Sequence, residues 1–169
     1  MAVFESVSVC RLGGFEGSNP EFVEAFPSVV SADNELVNKS MPIGTEPGTF
    51  ILDKLHGMNV FSYVFTAKSE ETGIRDDLAS ISVVVSDKKV NIDQVEILFR
   101  EIVTSLDKSG QLANSKVSTI TQMLERIYNS VNKNQKLKID AVTIDIPLII
   151  KQKKLNILKK DLKEFQGAF

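Results

Sequence analysis

Apolar and polar residues alternate most strictly across the middle of the chain, and that alternation predicts β-structure. In Val60–Ala67, Phe61, Tyr63 and Phe65 fall on one face and Val60, Ser62, Val64 and Thr66 on the other. Thr49–Leu55 precedes this segment across the turn His56-Gly57-Met58-Asn59, so the two read as a hairpin. A polar connection over Lys68–Asp77 leads to Leu78–Ser86, where Ile81, Val83 and Val85 alternate with Ser80, Ser82 and Val84. Three sequential strands with short links predict an antiparallel meander. Ahead of them, Val3–Leu12 contains no breaker and reads as a strand. Its faces are Val3, Val7 and Val9 on one side and Phe4, Cys10 and Leu12 on the other. Pro20–Pro27 is a short extended segment bounded by prolines, which suits a sheet edge. Ser31–Lys39 predicts a brief helix, with Asp33 as N-cap and Leu36 and Val37 as its apolar surface.

After the meander the period changes from two to 3.6. Ile92, Val95, Phe99, Ile102 and Leu106 form one apolar stripe; Asn91 and Gln94 stand at capping-box spacing and Gly110 supplies a stop. A second helix starts at Ser115 or Ser118, buries Val117, Ile120, Leu124, Ile127 and Val131, and ends in the polar run Asn132–Lys136. Leu137–Ile146 alternates in part like a strand, broken by Pro147. Lys151–Phe165 is amphipathic, with Leu155, Leu158, Leu162 and Phe165 sharing a face. The order is β-β-α-β-β-β-α-α followed by a strand-and-helix extension, an α+β arrangement.

Composition narrows the function classes. With 169 residues and 43% hydrophobic content, one buried core is expected. A formal charge of −2 lacks the basic excess of a general nucleic-acid binder, so no nucleic-acid partner is expected. Six lysines between Lys151 and Lys163 concentrate positive charge in the last helix. Lys153, Lys154, Lys160 and Lys163 are therefore the candidate partner or membrane surface. Packing of the four apolar side chains should outweigh lysine attraction to an anionic surface and dock that helix on the domain. The longest aliphatic run is far too short to span a bilayer, and no secretory leader pattern opens the chain. A cytoplasmic location, at most peripheral to membranes, is expected.

No catalytic constellation emerges. The loop containing Gly13, Gly14 and Gly17 runs into Ser18-Asn19-Pro20 and lacks the lysine of a phosphate-binding loop. Cys10 is the single cysteine and His56 the single histidine, too few for a zinc site. Glu70-Glu71 and Asp76-Asp77 lack the spacing of a calcium loop. Neither catalytic residues nor cofactors are expected. The rival reading, a small enzyme or ligand sensor, requires a pocket that gathers His56, Asp53 and Cys10.

The strip Pro42-Ile43-Gly44-Thr45-Glu46-Pro47-Gly48-Thr49-Phe50, its hairpin, the charged loop and Leu78–Val85 resemble a longin domain of the archaeal type. Asn19–Pro27 is similar to the second-strand region of longins of the DENN type, which also ends in an aromatic-proline pair. The resemblance covers residues 1–133, leaving 134–169 as a C-terminal strand/helix extension packed on the same domain. A roadblock-like or profilin-like sheet is the alternative for the same order of elements. The resemblance implies a five-stranded antiparallel sheet flanked by helices and a non-catalytic interaction scaffold. Implied partners are a small GTPase or another longin or roadblock-type subunit of membrane-trafficking-like regulation, as a homo- or heterodimer. It carries over no defined site residues.

Overall fold

The computed structural model describes residues 3–14, 19–27, 34–42, 44–68, 75–86, 90–113, 116–139 and 142–146. Strands β1 (Ser6–Gly14), β2 (Glu21–Phe26), β3 (Phe50–Leu55), β4 (Met58–Ala67) and β5 (Arg75–Val85) form one antiparallel sheet in the order β2-β1-β5-β4-β3. Helix α1 (Asn34–Ser40) lies on one face, while α2 (Ile92–Lys108) and α3 (Val117–Asn132) lie on the other. The α+β class and the five-stranded antiparallel sheet therefore hold.

Two-residue periodicity builds the thick layer. Phe61, Tyr63 and Phe65 of β4 join Ile81, Val83 and Val85 of β5 and Val7 and Val9 of β1 in the main core. Upon this floor α2 buries Val95, Leu98, Phe99, Ile102, Val103 and Leu106. At about 1.5–3 kcal/mol each, that face contributes roughly 9–18 kcal/mol before chain entropy is subtracted. Asn91 caps α2 by accepting from the Asp93 and Gln94 amides. The helix closes in a Schellman turn: Gln111 N–H donates to Leu106 C=O and Gly110 N–H to Asp107 C=O, with Gly110 at φ 77°. Asn134, at φ 55°, ends α3 in the same way, with Gln135 N–H donating to Ser130 C=O.

Several expectations need correction. Ile92 is not part of the buried stripe of α2: it stands in the first turn and is 38% exposed. Phe4 joins the main core rather than the Cys10 face, because β1 starts only at Ser6. The N-cap of α3 is Lys116, with no side-chain cap, and Ser118 lies inside the helix; a parallel bridge from Lys116 to Lys68 keeps that residue extended. Ser115 and Asp33 lie outside the described residues. Leu137–Ile146 forms two short strands, β6 (Leu137–Ile139) and β7 (Val142–Ile144), paired with each other, and Leu137, Ile139, Ile144 and Ile146 enter the main core.

The thin layer has a different chemistry. Beneath α1 the sheet presents Ser6, Ser8, Cys10, Ser80, Ser82 and Ser62 among Val60, Val64 and Val84, all of them buried. Ser62 and Ser82 bond to each other at 2.9 Å. Among the described residues the hydroxyls of Ser6, Ser8 and Ser40 find no hydrogen-bond partner, and that of Ser80 has only the Cys10 thiol beside it. Leu36, Val37 and Met41 cover this floor.

One polar clamp ties the chain start to the end of α3. Asn132 Oδ1 accepts from the amides of Val3 at 2.7 Å and Phe4 at 2.8 Å, and its Nδ2 donates to Phe4 C=O at 3.0 Å.

Candidate interaction surface

Cys10, Asp53 and His56 do not converge. Cys10 pairs across β1–β5 with Ser80, which pairs with Val64, whereas Asp53 pairs with Val60. That separation is about 13 Å along the strands and about 14 Å across them. Burial pushes the Cys10 thiol up to about 12, with the neighbouring Ser80 hydroxyl pulling weakly the other way. At neutral pH the group is a protonated core thiol. His56, at φ 51°, and Gly57, at φ 81°, form the tight turn between β3 and β4, two residues rather than the four expected. Asp53 Oδ1 accepts from the Lys54 amide at 2.8 Å and from Lys39 Nζ at 3.3 Å. The Lys54 amide first, and then Lys39, hold its carboxyl below the usual range.

Two of the grooves among the described residues lie along α3, and neither contains these three side chains. One, of about 170 Å³, is lined by Glu24, Ala25, Phe26, Gln122, Leu124 and Glu125. The other, of about 500 Å³, follows Gln122, Glu125, Arg126 and Asn129 of α3 toward Lys136 and Lys138. Among the described residues no three His, Cys, Asp or Glu side chains gather as a metal site.

The sheet edges differ more than the grooves do. The β2 edge is blunted: a bulge interrupts its pairing with β1 at Val9/Cys10, Pro20 and Pro27 flank it, and Glu21 pairs with Arg11 at 2.7 Å. β3 is the open edge, bonded among the described residues only to β4. The Val64 amide donates to Thr49 C=O, and pairs in an antiparallel ladder alternate. Ile51, Asp53 and Leu55 therefore bond to β4, and Phe50, Leu52 and Lys54 turn their backbone groups outward. Of these amides, Lys54 is already taken by the Asp53 carboxylate. Gly48, before the strand, donates to Val64 C=O at 2.6 Å. Phe50 and Leu52 are left as the outward amides between two occupied ones.

Side chains reinforce the contrast. Leu52 lies in register with Phe61, on the α2 side of the sheet, yet is 54% exposed. Beside it the Phe50 ring packs on Tyr63, with centroids 4.7 Å apart, and edge-on to Phe99. The Arg100 guanidinium carbon sits 4.0 Å above the Phe50 ring while its NH2 group bonds Glu96 at 3.1 Å. Four-residue steps put Ile92 on the same flank of α2 as Glu96 and Arg100. The surface thus combines free backbone groups, two exposed aliphatic side chains and a charged flank.

Of this surface, sequence reasoning identified the β3–β4 hairpin but neither Leu52 nor Ile92 as exposed. An isolated FILDKL segment carries no mark of edge position, which depends on strand order. The candidate lysines Lys153, Lys154, Lys160 and Lys163 lie outside the described residues, as does the helix expected to carry them. No described helix is long and apolar enough to cross a membrane. No protein-family model matches the chain, and no curated protein matches it.

Proposed function

We propose that this chain is a longin-like, non-catalytic association module of the cytoplasm that binds a protein partner by extending its sheet at β3. One observation carries the reading: among the described residues β3 is an open edge with outward amides at Phe50 and Leu52 and an exposed leucine between flanking charges. Such an edge gives main-chain hydrogen bonds to an incoming strand, and its side chains supply selectivity. Exposed aliphatic residues on an unblunted edge invite association, and the contrast with the proline-flanked β2 edge makes β3 the preferred side. The separation of Cys10 from Asp53 and His56 supports the absence of catalysis. The sequence resemblance supports a small GTPase or a longin or roadblock-type subunit as the partner class. The six lysines of residues 151–163 support an accessory contact with an anionic membrane surface.

The test is a binding titration by light scattering and calorimetry, with small GTPases in both nucleotide states and with longin and roadblock subunits. Wild type is compared with Leu52→Lys, a change at an exposed position. Association that is lost in Leu52→Lys at unchanged Tm supports the proposal. Association of equal strength in both proteins moves the interface away from β3 and refutes it. Vesicles of anionic lipid, with and without residues 151–169, separate the membrane contact from the protein contact.

A further inference from the structure

We infer that the larger groove along α3 is a binding site for a phosphate group, with Arg126, Lys136 and Lys138 as its cationic walls. It stands apart from the β3 edge, because α3 packs on β1 and β2 at the other side of the sheet. About 500 Å³ of space lies between α3 and the start of β6, enough for a phosphorylated headgroup or a small phosphorylated metabolite.

Alternation along the strand builds one wall. Leu137 and Ile139 are buried in the main core, so Lys136 and Lys138 both turn to solvent on the groove side of β6. Two side chains of α3 pin this wall. The Ser130 hydroxyl donates to Lys136 C=O and the Arg126 guanidinium to Lys138 C=O, both at 3.4 Å. Their spacings match: four residues of helix rise about 6 Å, and two residues of strand about 7 Å. Backbone contacts thus place the three cations together, and no anion is needed to assemble them. On α3, Gln122 and Asn129 lie one turn to either side of Arg126 and add amide donors to the lining.

Charge decides what the groove takes. Arg11 holds Glu21 at 2.7 Å and Arg100 holds Glu96 at 3.1 Å. Among the described residues Arg126 meets only the Lys138 carbonyl, which leaves most of its guanidinium fork for an anion. Glu125, the one carboxylate in the lining, lies about 100° around the helix from Arg126 and also borders the smaller groove beside Glu24. Three cations against one offset carboxylate suit a compact dianion. An extended acidic peptide would run over Glu125 and Glu24. A fork and two point charges also match the oxygens of a phosphate monoester better than the two of a carboxylate.

The experiment titrates the full chain with inorganic pyrophosphate by calorimetry, with acetate as the comparison anion. Pyrophosphate should bind and acetate should not. Arg126→Gln, a change at an exposed position, should weaken binding at least about tenfold at unchanged Tm. Glu125→Gln should strengthen it, an effect that loss of structure cannot produce. A second arm uses vesicles of phosphatidylcholine with and without phosphatidylinositol bisphosphate. Vesicle binding that needs Arg126 identifies a lipid headgroup as the source, and binding of pyrophosphate alone identifies a soluble phosphate compound; either supports the site. Absence of binding in both arms overturns it. Acetate bound as tightly as pyrophosphate overturns it too, leaving only nonspecific charge. Binding indifferent to Arg126→Gln is equally fatal. If changing Lys153, Lys154, Lys160 and Lys163 to serine then removes that binding, the attraction belongs to those lysines.

Discussion

Asn132→Ala removes a clamp that joins residues 129 and 128 positions apart in sequence. Three hydrogen bonds are lost together: two accepted by Oδ1 from the Val3 and Phe4 amides, and one donated by Nδ2 to Phe4 C=O. Each is worth about 0.5–1.5 kcal/mol net, and the site is half-buried, so water recovers part of the loss. The expected cost is about 2–3 kcal/mol. For a chain of this size that lowers Tm by about 4–12 °C. Asn132→Asp keeps both acceptor interactions but cannot donate to Phe4, so it should lose clearly less than alanine. Urea unfolding gives the free energies, and amide exchange at Val3 and Phe4 reports the clamp directly, accelerating in the alanine variant. A loss below about 0.5 kcal/mol in Asn132→Ala, with both amides exchanging as in wild type, would refute the assigned geometry.

The remaining predictions address the thin layer, titration and catalysis. Ser8→Ala should leave stability unchanged or raise it by about 1 kcal/mol, because its buried hydroxyl has no partner among the described residues; marked destabilisation in urea would refute that assignment. Stability should fall as pH rises above 9. Burial raises the Cys10 thiol from 9.0 to about 12, and burial followed by the bond to Asp107 raises Tyr63 from 10.0 to about 12. Raised folded values mean that the unfolded chain loses these protons first; the Cys10 thiol erodes stability by up to about 1.4 kcal/mol per pH unit between its two values, and the Tyr63 phenol, screened by solvent, by less. Cys10→Ala and Tyr63→Phe should each flatten that alkaline decline, and an unchanged slope in both counts against the assignments. The double variant Cys10→Ala, His56→Ala should retain partner binding in calorimetry, with only modest thermal loss from the buried cysteine. An enzymatic activity abolished by either change would contradict the non-catalytic reading.

What the sequence made legible follows from the range of the forces involved. Faces of β4 and β5 were readable because alternation is a local property, and Asn91 and Gly110 marked the ends of α2 because caps involve only near neighbours. Ile92 continued the 3.6-residue stripe, but its exposure reflects where packing against the helix ends, which spacing does not encode. Ser62, Ser80 and Ser82 alternate with the core row as a solvent-facing set would, yet all three are buried on the α1 side of the sheet. Leu52 became a candidate only once the order β2-β1-β5-β4-β3 left β3 outside. The Asn132 clamp likewise depends on a contact across nearly the whole described chain.

Residue-resolved amide exchange at β3, measured from dilute to concentrated protein and with any bound partner, tests the association edge most directly. In the free chain Ile51 and Asp53 should exchange slowly, since their amides face β4, while Phe50 and Leu52 exchange fast. Association should slow Phe50 and Leu52 selectively. Protection that appears on the outer faces of α2 and α3 while those two amides stay fast would contradict the account.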